Sequence, residues 1–313
     1  MENSKQQLYY FGDTGIGEAK KFEKKLLASY SVNIGNICAF GCSYCYVPTV
    51  VAKIKVIRDI LAQGYKTEDI SCYRHQDNVL DCIFRDLDKI HRDDNGTVFF
   101  CTTCDPCAIP DHADTTTKAI RLIMERSNLQ VRVLSKSILI IQVAQELQAY
   151  RDRIVYGLST GTTLSVISQA VEERASDITE RVRALHWLQN NGFRTFGMIC
   201  PVIPSEVDNV MQLLEQVRPE LCAGVWVEPL NIRGKSLVNT FNKLVAAGLE
   251  DHAVELQRVM GNKRALIEYS KRLFLGFQSE MQHRGLIDKM HYLHYRSKYD
   301  GGFFEGQPGA VIL

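Results

Sequence analysis

The sequence predicts an α/β fold, a partial (β/α)6 TIM-type barrel with helical N- and C-terminal extensions. Three observations predict it. Strand-like apolar runs alternate with helical patterns through six units, an order that implies parallel strands joined by helical crossovers. Six units rather than eight leave the barrel open. Residues able to do chemistry recur at the strands' carboxyl ends, where such folds build their sites.

Whole-chain properties set the limits. The chain has 313 residues, 45% of them hydrophobic and 23% charged, an ordinary soluble composition with enough length for a substantial core. A formal charge of +1 argues against a broad electrostatic footprint for nucleic acid, while leaving room for a local basic groove. No apolar run approaches the ~20 residues of a membrane-spanning helix, so no membrane partner is expected. The opening Met1-Glu2-Asn3-Ser4 begins no signal-peptide core, and a cytoplasmic location is the expectation. There, the ten cysteines stay reduced, and clustered ones point to metal or catalysis.

Three parts are expected: an N-terminal extension over 1–28, the barrel over 29–235, and a helical extension over 236–313 packing on the barrel. In the first, Gly12 and Gly17 have the spacing of a phosphate loop, but Glu18 and Ala19 stand where that loop needs Lys and Ser or Thr. The stretch reads as a loop before a charged helix from Glu18 to Leu27. The barrel opens with a strand at Tyr30–Ile34, followed by a long crossover with two helices, Thr49–Gln63 and about Asn78–Ile90. Strands then follow at Thr97–Thr102, Gln130–Leu134, Ile154–Leu158, Arg194–Cys200 and Ala223–Glu228. Helices fall between them at about Asp114–Arg126, Ile138–Ala149, Ile178–Asn191 and Glu206–Val217. A helical stretch from about Asp251 to Met281 leads into a basic, aromatic tail that includes His283, Arg284, Lys289, His291, Tyr292, His294, Tyr295, Arg296, Lys298 and Tyr299. That tail reads either as a surface that stacks bases and neutralises phosphates or as a helix end with interleaved core aromatics.

The most informative stretch is Cys38-Ala39-Phe40-Gly41-Cys42-Ser43-Tyr44-Cys45-Tyr46, with three thiols spaced Cys-x3-Cys-x2-Cys. Three thiolates on one loop can hold three corners of a cubane iron–sulfur cluster and leave the fourth iron open for chemistry. Zinc would need a fourth ligand and favours paired Cys-x2-4-Cys arms. A second group, Cys101, Cys104 and Cys107, ends the next strand. It reads as a second metal centre, as a thiol that returns a hydrogen atom to a carbon radical, or as a turn whose cysteines pack. Lys136 ends a further strand, beside a helix amino terminus that favours anions. Gly157 to Thr163 offers hydroxyls, Ser159 among them, suited to a ribose. Glu228 either contacts a cofactor or pairs with Arg233.

From about Ser31 to Lys235 these pieces resemble the spore photoproduct lyase and DNA-repair-photolyase-like branch of the radical S-adenosylmethionine (SAM) enzymes. The resemblance rests on Gly41 to Tyr46, the segment through Asp105-Pro106, Ser135-Lys136-Ser137 and Val227 to Asn231. It implies that Cys38, Cys42 and Cys45 bind a [4Fe–4S] cluster, that Tyr44 lies along the adenine of SAM, that Lys136 meets its carboxylate and that Ser159 touches its ribose. It also implies a hydrogen-atom donor at Cys101, relayed by Tyr46, and an external electron donor of the flavodoxin or ferredoxin type. The implied activity is reductive cleavage of SAM to a 5′-deoxyadenosyl radical that takes hydrogen from a substrate, with a nucleic-acid lesion or modified base as the first candidate. Cys104, Cys107 and the tail depart from the family pattern. Two alternatives stand beside this reading. One is a radical SAM modifier of a peptide or small molecule, with an auxiliary metal centre on Cys101, Cys104 and Cys107. The other is a zinc-stapled protein that contacts nucleic acid.

Overall fold

All six expected strands form, and they pair side by side in the order in which they occur. The structure, a computed structural model, describes residues 5–232, 234–297 and 300–313. Arg233, Lys298 and Tyr299 lie outside the described residues. The strands in the first third of the chain are β1 (Gln6–Tyr10), β2 (Gly17–Glu18), β3 (Tyr30–Val32), β4 (Gly35–Ile37), β5 (Ile70–Arg74) and β6 (Thr97–Phe100). The rest are β7 (Gln130–Ser135), β8 (Ile154–Leu158), β9 (Arg194–Val202), β10 (Cys222–Pro229), β11 (Met290–His294) and β12 (Ala310–Ile312). Among the described residues a nine-stranded sheet runs β12-β11-β10-β9-β8-β7-β6-β3-β2, parallel throughout except for the antiparallel β2–β3 edge.

Alternation along each strand sorts its two faces. One face sends Val98, Phe100, Val131, Val133, Tyr156, Val225 and Tyr292 into the layer shared with the crossover helices. The other sends Phe99, Val155, Phe196, Met198, Trp226 and Leu293 into a single cluster. Side chains from β6 through β11 meet in that cluster only because the sheet curls, so the second face is the lumen of an open barrel.

An open barrel leaves its lumen to be filled, and the N-terminal extension fills it. The expected charged helix shortens to Lys20–Lys24, and Phe22, Leu27 and Ala28 pack into the lumen cluster. Arg132 projects from β7 into the same layer. Its guanidinium donates to the carbonyls of Leu26 and Leu27 and lies 4.6 Å from the Trp226 ring and 5.2 Å from that of Phe196. Trp226 Nε1 donates to the Lys25 carbonyl at 2.8 Å. A buried guanidinium without a carboxylate is tolerable because carbonyl dipoles and aromatic faces replace the lost water.

Three sequence expectations change. The long first crossover contains a strand as well as helices: β5 pairs with β1 in parallel and with β4 antiparallel, a small second sheet. The expected Thr49–Gln63 helix is two, Val47–Val51 and Lys55–Ala62, because Ile54 is extended. The C-terminal extension begins as expected with helices Ser236–Ala246, Glu250–Met260 and Lys263–His283, where Asn262 caps the last by accepting from Arg264 and Ala265 N–H. It then returns to the sheet as β11 and β12. The tail's polar aromatics are thereby absorbed: His294 pairs with Asp300 at 2.7 Å and stacks on Phe304, and Tyr292 is buried against Ser270. Of the two readings of the tail, core aromatics describe these residues.

Replacing Arg132 with Ala is expected to cost about 2 kcal/mol, the scale of hydrogen bonds to a charged group. It should also speed hydrogen exchange at the Leu27 and Ala28 amides, both bonded to the Phe22 carbonyl. Unchanged exchange there would show that the plug does not depend on this guanidinium.

Candidate functional site

The parallel order gathers the strands' carboxyl ends on one rim, and the cysteine loop occupies it directly after β4. Gly41 turns the loop with φ +60°, and a Cβ there would stand 2.7 Å from Lys5 Cε. Cys45 N–H donates to the Cys42 carbonyl at 3.0 Å, and Ser43 N–H to that of Val171 at 2.9 Å. The nearly buried Lys5 ammonium ties the loop down through the carbonyls of Cys38 and Thr67. The Cys38 sulfur accepts from Asp105 N–H at 3.4 Å and from the Tyr73 hydroxyl at 3.8 Å.

Cys38, Cys42 and Cys45 are all partly exposed at this rim. Burial pushes the Cys38 thiol up to about 11 and raises Cys42 and Cys45 as well. A soft cation is what would convert such thiols to thiolates. Three thiols on one loop, with hydrogen bonds already aimed at one sulfur, suit a cluster whose fourth corner is left free. Among the described residues no three His, Cys, Asp or Glu side chains stand together as a ready-made set of metal ligands, the three loop thiols included.

Facing the loop is a buried ion network. Lys136, just past β7, donates to Ser159 Oγ at 2.7 Å and lies 3.5 Å from Glu172 Oε1. Glu172 also accepts from the Tyr44 hydroxyl and from Arg181, whose side chain is only 1% exposed. Arg181 donates further to the Ser159 carbonyl and to Ser168 Oγ, both at 2.7 Å. The Lys136 ammonium stands 5.9 Å from the Tyr44 ring centroid. Burial would lower the lysine, but Glu172, helped by Cys42, outweighs it and holds the ammonium above its ordinary value. Burial likewise opposes an ionised Glu172, yet Lys136 and Arg181 hold its carboxyl below the usual range. The structure thus brings together three of the predicted residues, Tyr44, Lys136 and Ser159. Glu172 and Arg181 were missed. The available signal was Glu172 at a helix carboxyl end, where the dipole disfavours an acid.

The second cysteine group divides. Cys107 is fully buried in the core, whereas Cys104 is partly exposed, and burial, with Cys101 beside it, raises its thiol; both cysteines are free. Asn33 Oδ1 pins the turn between them, accepting from N–H and hydroxyl of both Thr102 and Thr103 at 2.7 to 3.2 Å. Asp105 accepts from Ser135 Oγ, Lys136 N–H and Cys107 N–H at 2.7 to 2.8 Å, which locks this loop to the end of β7. Thr163, in the hydroxyl-rich loop, is engaged by the buried Glu206.

Tyr46 stands elsewhere on the rim. Among the groups that act on it are Lys25, Glu228, Tyr295 and Cys200, while Cys101 acts on Cys104, Cys107 and Tyr10. Glu228 bonds with Lys25 and Tyr295, neither of which sequence reasoning placed here.

Comparison with known proteins follows the same lines. A family model described as the radical SAM superfamily matches residues 32–217. No curated protein matches the chain. Among solved structures, spore photoproduct lyase complexed with dinucleoside spore photoproduct aligns with a TM-score of 0.55 at 12% identity, covering 76% of this chain and 66% of that one. A tyrosine-to-phenylalanine mutant of spore photoproduct lyase gives the same values. This chain thus spans slightly under two thirds of those proteins' length, and at such identity the likeness shows the shared partial barrel.

Replacing Glu172 with Ala leaves Arg181 buried without its carboxylate, an expected loss of about 3–5 kcal/mol measurable by denaturant unfolding. Because the folded carboxyl is depressed, its contribution is present above the ordinary value of 4.5 and disappears as pH falls through the folded value. Wild type and variant should converge in stability on the acid side. A gap that persists undiminished in acid would contradict this account.

Proposed function

Because the chain belongs to the radical SAM superfamily and is an enzyme of that class, we propose that Cys38, Cys42 and Cys45 hold a [4Fe–4S] cluster and that SAM binds between their loop and the Lys136–Glu172–Arg181 network. The observation that carries the reading is the pairing of the thiol loop, through Tyr44, with Lys136 and their shared partner Glu172. When bound, cluster and SAM supply an electron and a sulfonium whose cleavage yields methionine and a 5′-deoxyadenosyl radical, the reagent that takes hydrogen from an unactivated C–H bond.

The chain's own residues bind, orient and exclude water. Lys136 keeps its proton through Glu172 and offers donors to the carboxylate of SAM. Ser159, which accepts from Lys136 and donates to the Cys200 carbonyl, offers its remaining lone pair to the ribose, and the Tyr44 ring, fixed at its hydroxyl by Glu172, offers a flat face to the adenine. The apolar lumen beneath closes the site to water from below, and rim residues fix the substrate carbon against the reactive carbon. One metal centre is proposed, on Cys38, Cys42 and Cys45. The hydrogen-atom donor is proposed at Cys101, relayed by Tyr46, as the family resemblance implies.

The substrate class proposed is a nucleic-acid lesion or modified base, supported by the shared fold with a lyase solved in complex with a dinucleoside photoproduct. A cytoplasmic flavodoxin or ferredoxin type of protein is the proposed electron donor.

The test is anaerobic reconstitution with iron and sulfide, then iron analysis, reduction and assay for 5′-deoxyadenosine. Wild type should hold ~4 irons per chain, the content of one cubane, and cleave SAM. A variant with Cys38, Cys42 and Cys45 replaced by Ala should do neither. Bound zinc and intact SAM in the wild type would overturn the reading, and ~8 irons would restore the second centre.

A further inference from the structure

One of the sheltered lysines lacks the carboxylate that others have. Lys25 pairs with Glu228 and Lys136 with Glu172. Lys5 is only 9% exposed, yet among the described residues no carboxylate lies within ion-pair distance of it. Its ammonium donates to two carbonyls, that of Thr67 at 2.9 Å and that of Cys38 at 3.3 Å. The small sheet delivers it there. Gln6, the first residue of β1, stands in register with Ile70 on β5, so the residue before it meets the segment that leads into β5. The stem of Lys5 then lies behind Gly41, at the turn of the cysteine loop.

Two carbonyl bonds do not account for a charge in this position. A neutral donor could make them, whereas an ammonium taken out of water without a counter-ion is costly. The groups placed to supply the missing charge are sulfurs, since Cys38, Cys42 and Cys45 all act on Lys5. As thiols they offer none, and as thiolates around a cluster they offer it together. Other cations near the loop are already engaged. Arg174 stands 3.6 Å from Glu173, and Lys136 is matched by Glu172. Lys5 is thus the ammonium whose charge is left for the loop. A fixed positive charge favours the more negative state of its neighbour, strongly where water is excluded. Reduction adds one electron to a cluster that three thiolates already make negative, so Lys5 favours the reduced state.

We propose that Lys5 is the counter-charge of the three-cysteine loop, a positioning residue that acts through the Cys38, Cys42 and Cys45 sulfurs and raises the reduction potential of the cluster they hold. The inference rests on the assignment of a [4Fe–4S] cluster to those cysteines.

The test is a dithionite redox titration of the reconstituted full-length protein without SAM, followed by the electron paramagnetic resonance of the reduced cluster. Lys5→Met removes the charge and keeps much of the stem. Its midpoint should fall by at least about 59 mV, a tenfold change in a one-electron equilibrium. Iron content should stay at ~4 per chain. Lys5→Arg keeps the charge and should stay near the wild-type midpoint. Thermal unfolding of each cluster-free protein reports its fold, and if Lys5→Met does not fold, Lys5→Gln takes its place with the same expectation. A neutral variant that folds but takes up no iron, beside a Lys5→Arg variant that does, also supports the charge. The proposal is overturned if the neutral variant keeps the wild-type midpoint. It is equally overturned if Lys5→Arg falls as far or loses the iron too, since the lysine would then be a tie for the loop and not a charge. A wild type that assembles no cluster overturns the cluster assignment and this inference with it. One that cleaves SAM, with a potential indifferent to residue 5, loses this inference alone.

Discussion

Parallel pairing from β3 to β12 puts every one of those strands' carboxyl ends on a single rim, and strand alternation then decides which side chains reach it. Residues 132, 134 and 136 on β7 and its end share a face, as do 196, 198 and 200 on β9 and 226 and 228 on β10. The same alternation that gives the lumen Phe196, Met198 and Trp226 gives the rim Cys200 and Glu228. A one-residue slip in any strand would exchange them for the helix-facing set and dismantle core and site together. Packing and chemistry are thus specified by one register.

The second constraint comes from stopping short of closure. A sheet that curls without joining its edges leaves lumen surface that must be covered by something other than strands. The segment from Phe22 to Ala28 covers it, held by Arg132 and Trp226, and of its two lysines Lys25 is the one that reaches Glu228 and Tyr295. An extension that composition marks only as polar and lysine-rich is therefore part of the barrel's interior packing. Leu26, the neighbour of Lys25, adopts φ +58° without being glycine, a conformation that the contacts on either side over-determine.

The barrel strands and the cysteine loop were legible because each carries a local signal. Ile154–Leu158 is apolar, short and bounded by turn residues, and its observed limits match the expected ones. The strands that were missed lack such signals. Ile70 to Arg74 includes Ser, Cys and Arg, and is buried throughout only because two other segments pair with it. Met290 to His294 carries two histidines among its apolar residues and reads as polar tail until Asp300 and Phe304 accept one of them. Of the site, Tyr44, Lys136 and Ser159 were legible through strand ends and family pattern. Glu172, Arg181, Lys25 and Tyr295 were not, since each depends on a partner at least nine positions away, a distance at which spacing carries no information.

The ion network raises the question of why so many charges are buried at all. Replacing such a network with apolar side chains is often neutral or stabilising, so stability alone does not account for it. Its effect on protonation does. A lysine buried on its own would shed its proton, and Lys136 keeps it because Glu172 is ionised. Glu172 in turn stays ionised because Arg181 shares it, a guanidinium that does not titrate in the accessible range. The carboxylate is divided among Lys136, Arg181 and Tyr44, while the ammonium has three donors. The arrangement thus yields a cation at the rim whose charge is guaranteed from behind and whose donors are not all consumed. That is the state in which a lysine can hold a carboxylate ligand, and an apolar core of equal stability would not provide it.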